Sequence, residues 1–527
     1  TLDLCDALHI TKQDFDERMS YIRNRHRNPG YSRYTHQLFM SQLSPKDIGV
    51  FQEKLFRFPG FYVSKRSIRQ YKHKVAAHLL GGIAEVSQRE MKNDPYYRRG
   101  DYIGKQGVER AYEKDLRGQK GVKVLLRDAH GRIKGSYKEG ILDHQPIPGH
   151  DLTLSLDVEL QELAEKLMQG KIGSVVAIEP TTGEILAMVS SPSYSPDLMV
   201  GRERGNYQVA LTKDPHRPLL NRAIQGTYPP GSTFKTAEGM VYLQEGIIQP
   251  STAYPCSHGF HFKGLTVGCH AHPSPLTLIP AIATSCNSYF CWGLYHLIGS
   301  NKYDSPQEAL TIWKNHMVSQ GFGYRLGIDL PGEARGFIPN AKFYDKVYHK
   351  RWNGLTIISI GIGQGEILLT PLQIANLSAT IANRGYYITP HVVKGVSDEN
   401  IDEKYTEKHR TSIDRKYYED IVEGMRMAVT SGTCRSGDIP NIEVCGKTGT
   451  AQNKGHDHSV FMGFAPMNKP KIAVAVYVEN GGFGAVYGVP IGSLIMEKYL
   501  NDTLSTASKE RVEYIRNRKI YYGNTKR

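Results

Sequence analysis

The sequence predicts an α+β protein, with an antiparallel sheet flanked by helices and a separate N-terminal domain before it. Three observations lead there. Strand-like runs come in close pairs: Ser174 to Ile178 and Ile185 to Val189 are joined by the turn Glu179-Pro180-Thr181-Thr182-Gly183-Glu184, and Val460 to Ala465 precedes Ile472 to Val478. Runs with apolar residues at helical spacing lie around these pairs, among them Val158 to Met168 and Thr236 to Gly246. The 527 residues are too many for one core, and Pro146-Ile147-Pro148-Gly149 reads as a linker. The expected division is an N-terminal domain over 1–150, a larger domain over 151–500, and a polar, loosely docked tail over 501–527.

Composition narrows the class. Hydrophobic residues make up 40% and charged residues 22%, which suits a globular protein rather than a disordered one. No run of 18 or more apolar residues is present, so no segment reads as a membrane span, and no signal peptide is visible. The chain opens Thr-Leu-Asp-Leu-Cys without an initiator Met, as expected of a processed or truncated protein that has lost an N-terminal anchor. The net charge of +14 favours anionic partners. Nucleic acid is not expected among them, because the basic residues are dispersed and no binding signature is present.

Taken in order, residues 1–150 are polar, basic and short-segmented. Glu53 to Phe58 and Tyr71 to Leu80 read as short elements, and Phe58-Pro59-Gly60-Phe61-Tyr62-Val63 as a turn and strand. Val108 to Leu116 reads as a helix. Val122 to Leu126 and Ile133 to Tyr137 flank the hairpin turn Asp128-Ala129-His130-Gly131. No catalytic set assembles here, and the segment reads as a structural or docking module.

Leu152 to Leu156 alternates as a strand before the helix Val158 to Met168. Then comes Gly231-Ser232-Thr233-Phe234-Lys235, directly after Pro229-Pro230 and before a helical run with Ala237, Met240, Val241 and Leu243 on one side. Ser232 is thus expected at the first turn of a helix, with Lys235 three residues on and on the same face. A serine hydroxyl needs a base within reach, and a lysine serves if burial or charge lowers its pKa. The helix start also offers unpaired N–H groups suited to an oxyanion. By itself this S-x-x-K is equally read as an N-terminal helix serine beside a solvated lysine.

Ser285-Cys286-Asn287 falls between the apolar stretches Leu278 to Thr284 and Tyr289 to Leu297, where its hydroxyl and carboxamide either face the nucleophile or cap a helix. Gly361-Ile362-Gly363-Gln364-Gly365 lacks the Lys-Ser/Thr of a phosphate loop and reads as a tight turn before a helix at Pro371, whose apolar face is Leu372, Ile374, Ala375, Leu377 and Ile381. Gly446-Lys447-Thr448-Gly449-Thr450 also fails as a P-loop, since Asn441 stands where the first glycine is required. It is expected on a strand of the antiparallel sheet. There Lys447 beside hydroxyls would bind a carboxylate, and the glycines would let a substrate backbone approach. Gly492 to Leu500 reads as an amphipathic final helix.

S-x-x-K, S-x-N and K-T-G in this order resemble the signature set of the penicillin-binding proteins and serine β-lactamases. Ile178 to Val189, Asn221-Arg222-Ala223, Tyr228-Pro229-Pro230, Ile360 to Leu369 and Thr370-Pro371-Leu372-Gln373 are similar to segments of the class B, elongation-type members, and the resemblance spans essentially the whole chain. It implies a penicillin-binding/β-lactamase-like transpeptidase domain on an N-terminal pedestal, and a peptidoglycan D,D-transpeptidase activity. Ser232 would be acylated by a stem peptide, with Lys235 as general base, Ser285 as proton relay and Asn287 on the peptide amide. Lys447 and Thr448, with Gly449 beside them, would hold the donor's terminal carboxylate region. The N–H groups of Ser232 and Thr450 would form the oxyanion hole. No cofactor is implied for catalysis. The implied partners are peptidoglycan stem peptides, β-lactams, a membrane glycosyltransferase of the elongation machinery met through the pedestal, and the bacterial inner membrane, at whose periplasmic face the protein would sit. A serine β-lactamase and a penicillin-binding sensor or scaffold are the alternatives.

Seven cysteines, an odd number, argue against a complete disulfide framework. Cys256-x12-Cys269-x2-His272-x13-Cys286 supplies three thiolates and an imidazole, a donor set for structural zinc, with His258, His261 and His270 as competing ligands. Some relatives carry a metal near S-x-N, so the resemblance supports a zinc that holds the Ser285 loop. Free thiols and a disulfide are the other readings. Cys5, Cys291, Cys434 and Cys445 are expected as isolated core residues.

Overall fold

The computed structural model describes residues 1–522 except 29–30, 33–35, 42, 44, 65–68, 130–132, 202–203, 398–400 and 454. The chain divides into two compact units. The smaller comprises Thr1–Lys74, Gly81–Asp151 and Ser195–Asp214; the larger comprises Val75–Leu80, Leu152–Tyr194 and Pro215–Arg527. Three consecutive segments were expected, whereas residues 75–80 belong with the larger unit and 195–214 with the smaller.

The smaller unit is built from short pieces. Leu2–Leu8 and Lys12–Arg23 are helices, the second opened by a capping box in which Thr11 and Asp14 bond each other's backbone N–H. Leu4, Ala7, Leu8, Phe51 and Phe58 form its apolar cluster. Phe61 and Val63 pack onto that cluster as irregular chain, so the strand expected there does not form. The single helix expected over Val108 to Leu116 is two, Gly107–Ala111 and Glu113–Leu116, because Tyr112 between them leaves helical geometry (φ −110°, ψ 26°). Leu125–Arg127 pairs antiparallel with Ile133–Ser136, every residue exposed, and His130 and Gly131 of the expected turn lie outside the described residues.

The larger unit centres on five antiparallel strands: β1 (Gly173–Ile178), β2 (Ile185–Ser191), β3 (Cys445–Ala451), β4 (His458–Ala465) and β5 (Ile472–Val478). Their order is β3-β4-β5-β1-β2, so β3 is an edge. The registers Thr450↔Ser459, Val460↔Tyr477, Val476↔Val175 and Val176↔Met188 tie the sheet together. Because side chains alternate, Val175, Ala177, Val474 and Val476 face one layer and Val176 and Ala475 the other, and both sets are buried. The first layer contains α1 (Val158–Met168), its N-cap Asp157 accepting from Leu160 N–H. Six more helices matter to the site: α2 (Lys235–Gln244), α3 (Leu278–Ala283), α4 (Asn287–Ile298), α5 (Pro371–Ala382), α6 (Lys416–Thr430) and α7 (Gly488–Asn501). Helix α5 covers the second face of the sheet and is buried at all twelve positions, not only along the apolar stripe its sequence marks.

Two expectations at the C-terminal end are corrected. Helix α7 starts at Gly488 and is buried from there to Glu497, so it is a core helix rather than an amphipathic last one. As far as residue 522 the tail is not loose: α8 (Thr506–Asn517) follows, capped by Ser505, with Val512 and Ile515 buried in the main core. Beyond it Tyr522 accepts from Ile172 N–H at 2.7 Å and donates to Glu479 O at 2.9 Å.

Candidate functional site

Ser232 stands in a 3-10 turn, Gly231–Phe234, that runs straight into α2. Gly231 sits at φ 55°, and a Cβ there would stand 2.8 Å from Thr450 O, so the residue before the serine must be glycine. The first amides of such a turn have no acceptor within it, which leaves the Ser232 N–H for a ligand. Lys235, one turn on, is wholly buried. Its ammonium donates to Ser285 O at 2.7 Å, Ser285 Oγ at 3.3 Å and Asn287 Oδ1 at 2.6 Å. The half-buried Ser232 hydroxyl is not among those acceptors.

The S-x-N triplet joins α3 to α4. Ser285 is left-handed (φ 59°), a conformation that costs a serine about 1 kcal/mol and points successive side chains in different directions. Ser285 and Asn287 meet the lysine, while Cys286 caps α4 by accepting from Tyr289 N–H at 3.4 Å. The capping expected of Ser or Asn therefore belongs to the cysteine between them.

Strand β3 brings the third motif. Lys447 is fully buried and donates to Ser285 Oγ at 2.8 Å and Thr448 O at 2.9 Å. The Ser285 hydroxyl thus lies between two lysines that are remote in sequence. Thr448 Oγ1 and Thr433 Oγ1 are 2.8 Å apart. Thr450 O accepts from Gln364 Nε2 at 3.1 Å, so it points away from β4. In an extended strand the N–H and C=O of one residue point to the same side. The Thr450 N–H therefore also faces outward from the sheet edge, towards the turn that carries Ser232. A Cβ at Gly449 would come within 3.0 Å of Pro230 O and of Val460 Cβ. That glycine is required by the packing of the serine turn on the strand.

Burial governs the electrostatics. It lowers the Lys235 amine to about 8, close to what a general base at neutral pH requires. Lys447 is driven well below its ordinary value, first by burial and then by the charge of Lys235. Both amines thus hold a proton less tightly than an exposed lysine does, and the Ser285 hydroxyl lies between them.

Behind the triplet, Cys256 Sγ, Cys269 Sγ, His272 and Cys286 Sγ place their donor atoms within 4.8 Å of one another. Cys269 Sγ and His272 Nε2 are 3.4 Å apart, near the roughly 3.5 Å edge of a tetrahedral zinc site with sulfur and nitrogen ligands. His272 Nδ1 donates to Pro273 O at 2.7 Å, which leaves Nε2 free to ligate. The residues present fit such a metal. Of the competing histidines, His261 bonds Ser257 O and Thr266 Oγ1, and His270 donates to Thr284 O. All seven cysteines are free thiols, and Cys5, Cys291, Cys434 and Cys445 are buried apart from this set. Asn287 N–H donates to Cys269 Sγ at 3.2 Å, a bond that links the cysteine set to the catalytic triplet. The hydrogen bond between Cys286 and Cys269 lowers the Cys269 thiol and raises that of Cys286.

The structure brings all of the sequence-predicted residues into these two adjoining clusters. Sequence reasoning missed Thr433 and the role of Gln364, and named His270 only as a competing metal ligand, whereas it holds Thr284 O. Only Gln364 carries a signal, its place inside Gly-Ile-Gly-Gln-Gly directly after the left-handed Gly363.

Comparison with known proteins agrees over most of the chain. A family model described as the penicillin binding protein transpeptidase domain matches residues 173–497, and one described as the penicillin-binding protein dimerisation domain matches 1–154. The chain is 34% identical over 509 residues to the peptidoglycan D,D-transpeptidase MrdA of Acinetobacter baumannii, covering 90% of this chain and 72% of that protein. Its fold is similar to that of Pseudomonas aeruginosa PBP2 in complex with WCK 5153, with TM-score 0.71, 32% identity, and 84% and 92% of the two chains covered. It is also similar to a chain from a peptidoglycan synthase complex that coordinates polymerization and crosslinking, with TM-score 0.75, 29% identity, and 88% and 81% covered.

Proposed function

This chain belongs to the penicillin-binding proteins, among the elongation-type peptidoglycan D,D-transpeptidases, and we propose that Ser232, Lys235, Ser285, Asn287, Lys447 and Thr450 carry its acyl transfer. The observation that carries this reading is the Ser285 hydroxyl bridging Lys447 and Lys235, the latter one helical turn from Ser232. Lys235 takes the proton of Ser232 as Oγ attacks the penultimate D-Ala carbonyl of a stem peptide. The N–H groups of Ser232 and Thr450 hold the developing oxyanion. Collapse of that intermediate breaks the amide bond, and Ser285 delivers the proton to the departing D-Ala amine. The amine of a second stem peptide then attacks the ester, and the same lysine-serine relay takes its proton as the cross-link forms. Asn287 holds the peptide amide. Lys447 with Thr448 receives the donor carboxylate, and Gly449 lets the serine turn close beside it.

A β-lactam presents the same carbonyl and carboxylate, so it acylates Ser232. A zinc ion held by Cys256, Cys269, His272 and Cys286 would fix the Ser285 loop and take no part in the chemistry. The enzyme acts outside the cytoplasm, at the periplasmic face of the inner membrane. Among the described residues no helix is long and apolar enough to cross a membrane. Similarity to a chain of a peptidoglycan synthase complex that coordinates polymerization and crosslinking supports a polymerising partner; we take this to be a membrane glycosyltransferase met through the N-terminal unit.

Intact-mass analysis after incubation with a penicillin tests the mechanism. The parent protein is expected to gain one stable adduct and Ser232→Ala none. An adduct lost within seconds would point to a β-lactamase, and no adduct on the parent would reject the acyl-enzyme.

A further inference from the structure

The turn around Gly363 and Gln364 takes no part in the acyl transfer as described, yet it touches both strands of chain that supply the oxyanion hole. Its 3-10 segment, Ile358–Ile362, ends at Gly363 in the left-handed region (φ 69°, ψ 31°). Gly363 O accepts from Gly231 N–H at 2.9 Å, one residue before the Ser232 amide. A Cβ on Gly363 would stand 2.2 Å from Gly231 O, so the approach requires glycine. The next residue, Gln364, is fixed through its own N–H to Ser359 O at 3.0 Å and donates Nε2 to Thr450 O at 3.1 Å. Two adjacent residues thus grip the turn of the nucleophile on one side and the edge of the sheet on the other. An oxyanion hole works only while its two N–H groups converge on one point. Each of these N–H groups lies next to a backbone atom held by this turn.

We infer that Gln364 is a positioning residue for the oxyanion hole: by holding the Thr450 carbonyl it aims the Thr450 N–H at the point the Ser232 N–H also faces, while Gly363 holds the serine side. The Thr450 C=O would otherwise stand on an open sheet edge with no strand to fix its direction. Rotation of residue 450 about the strand axis would then swing its N–H away from the developing charge. The inference rests on the serine acyl-transfer reading above and adds to it a residue outside the three motifs.

The test uses the whole chain with Gln364→Leu and Gln364→Glu, the second keeping the side-chain shape while removing the donor. Stopped-flow acylation by a chromogenic cephalosporin separates the binding constant from the acylation rate constant, and infrared spectroscopy reads the ester carbonyl band of the acyl-enzyme. The acylation constant is expected to fall by about tenfold or more with binding within about twofold, because the donors act on the transition state. The carbonyl band should move to higher wavenumber as its hydrogen bonding weakens. That shift is something a loss of general stability does not produce. If the leucine variant does not fold, the glutamate variant decides alone. An unchanged band and acylation constant in a folded variant, or weakened binding alone, overturns the inference. A parent protein that forms no acyl-enzyme overturns the reading beneath it instead.

Discussion

Ser285 and Asn287 face one way and Cys286, between them, faces the other, so three consecutive residues serve two clusters of opposite character. On the first side two buried lysines share one hydroxyl, and in the proposed mechanism those bonds make and break as protons move. On the second side three sulfurs and an imidazole lie within 4.8 Å of one another with nothing that needs to move. The difference teaches how a mobile proton relay is kept in register. The left-handed Ser285 turns the chain so that the Ser285 hydroxyl and the Cys286 sulfur diverge, and Asn287 N–H to Cys269 Sγ ties the two sides together.

The comparison breaks most completely from the relay side. Lys235→Met removes the base but leaves all four sulfur and imidazole donors, so acylation by penicillin should fall by about a thousandfold while metal content stays that of the parent. Equal loss of metal would mean that the two sides are not separable. From the other side, Cys286→Ser keeps an oxygen able to cap α4 but removes a sulfur ligand. Elemental analysis should show zinc in the parent and little in the variant, with acylation down by about a hundredfold as the triplet shifts by a fraction of an ångström. A parent protein free of metal would reject the site.

A smaller effect follows from pH. Lys235 must be neutral to accept a proton, and burial sets its amine at about 8. The acylation rate should therefore rise about tenfold per unit as pH climbs towards 8 and level off above it. A profile flat from pH 5.5 to 8, read as approximate bounds, would remove Lys235 as the base. The smallest change is expected from His270→Ala, which loses one bond to Thr284 O just ahead of the triplet. A single hydrogen bond is worth about 1 kcal/mol, so acylation should drop only a few-fold with zinc retained.

How much of this could be read beforehand follows from distance along the chain. Ser232 and Lys235 lie within one helical turn, so their placement side by side was legible from local spacing. The hairpin of β1 and β2 was legible because its turn is short and its strands are continuous apolar runs. The bond from Lys447 to Ser285 spans 162 positions, and only the order of the motifs hinted at it. The residues proposed as zinc donors were legible as residue types, but preferring His272 to His261 and His270 required the fold that turns those two to other partners. Helix α8 was missed because Val512 and Ile515 are two buried positions in an otherwise charged stretch, too few to set a period. Thr433 had no local signature at all, since a threonine in a loop is ordinary until a strand is laid beside it.

The two lysines have one more consequence, in the proton inventory of the resting enzyme. Burial and mutual repulsion hold Lys447 well below its usual value, so at rest its amine binds a proton less tightly than an exposed lysine does. A ligand carboxylate arriving at Lys447 raises its affinity for a proton. Binding of an anionic antibiotic should then draw protons from the solvent before any covalent step. The enzyme's affinity for such ligands is coupled to acidity in the opposite sense to its rate: lower pH tightens the encounter while it slows the reaction.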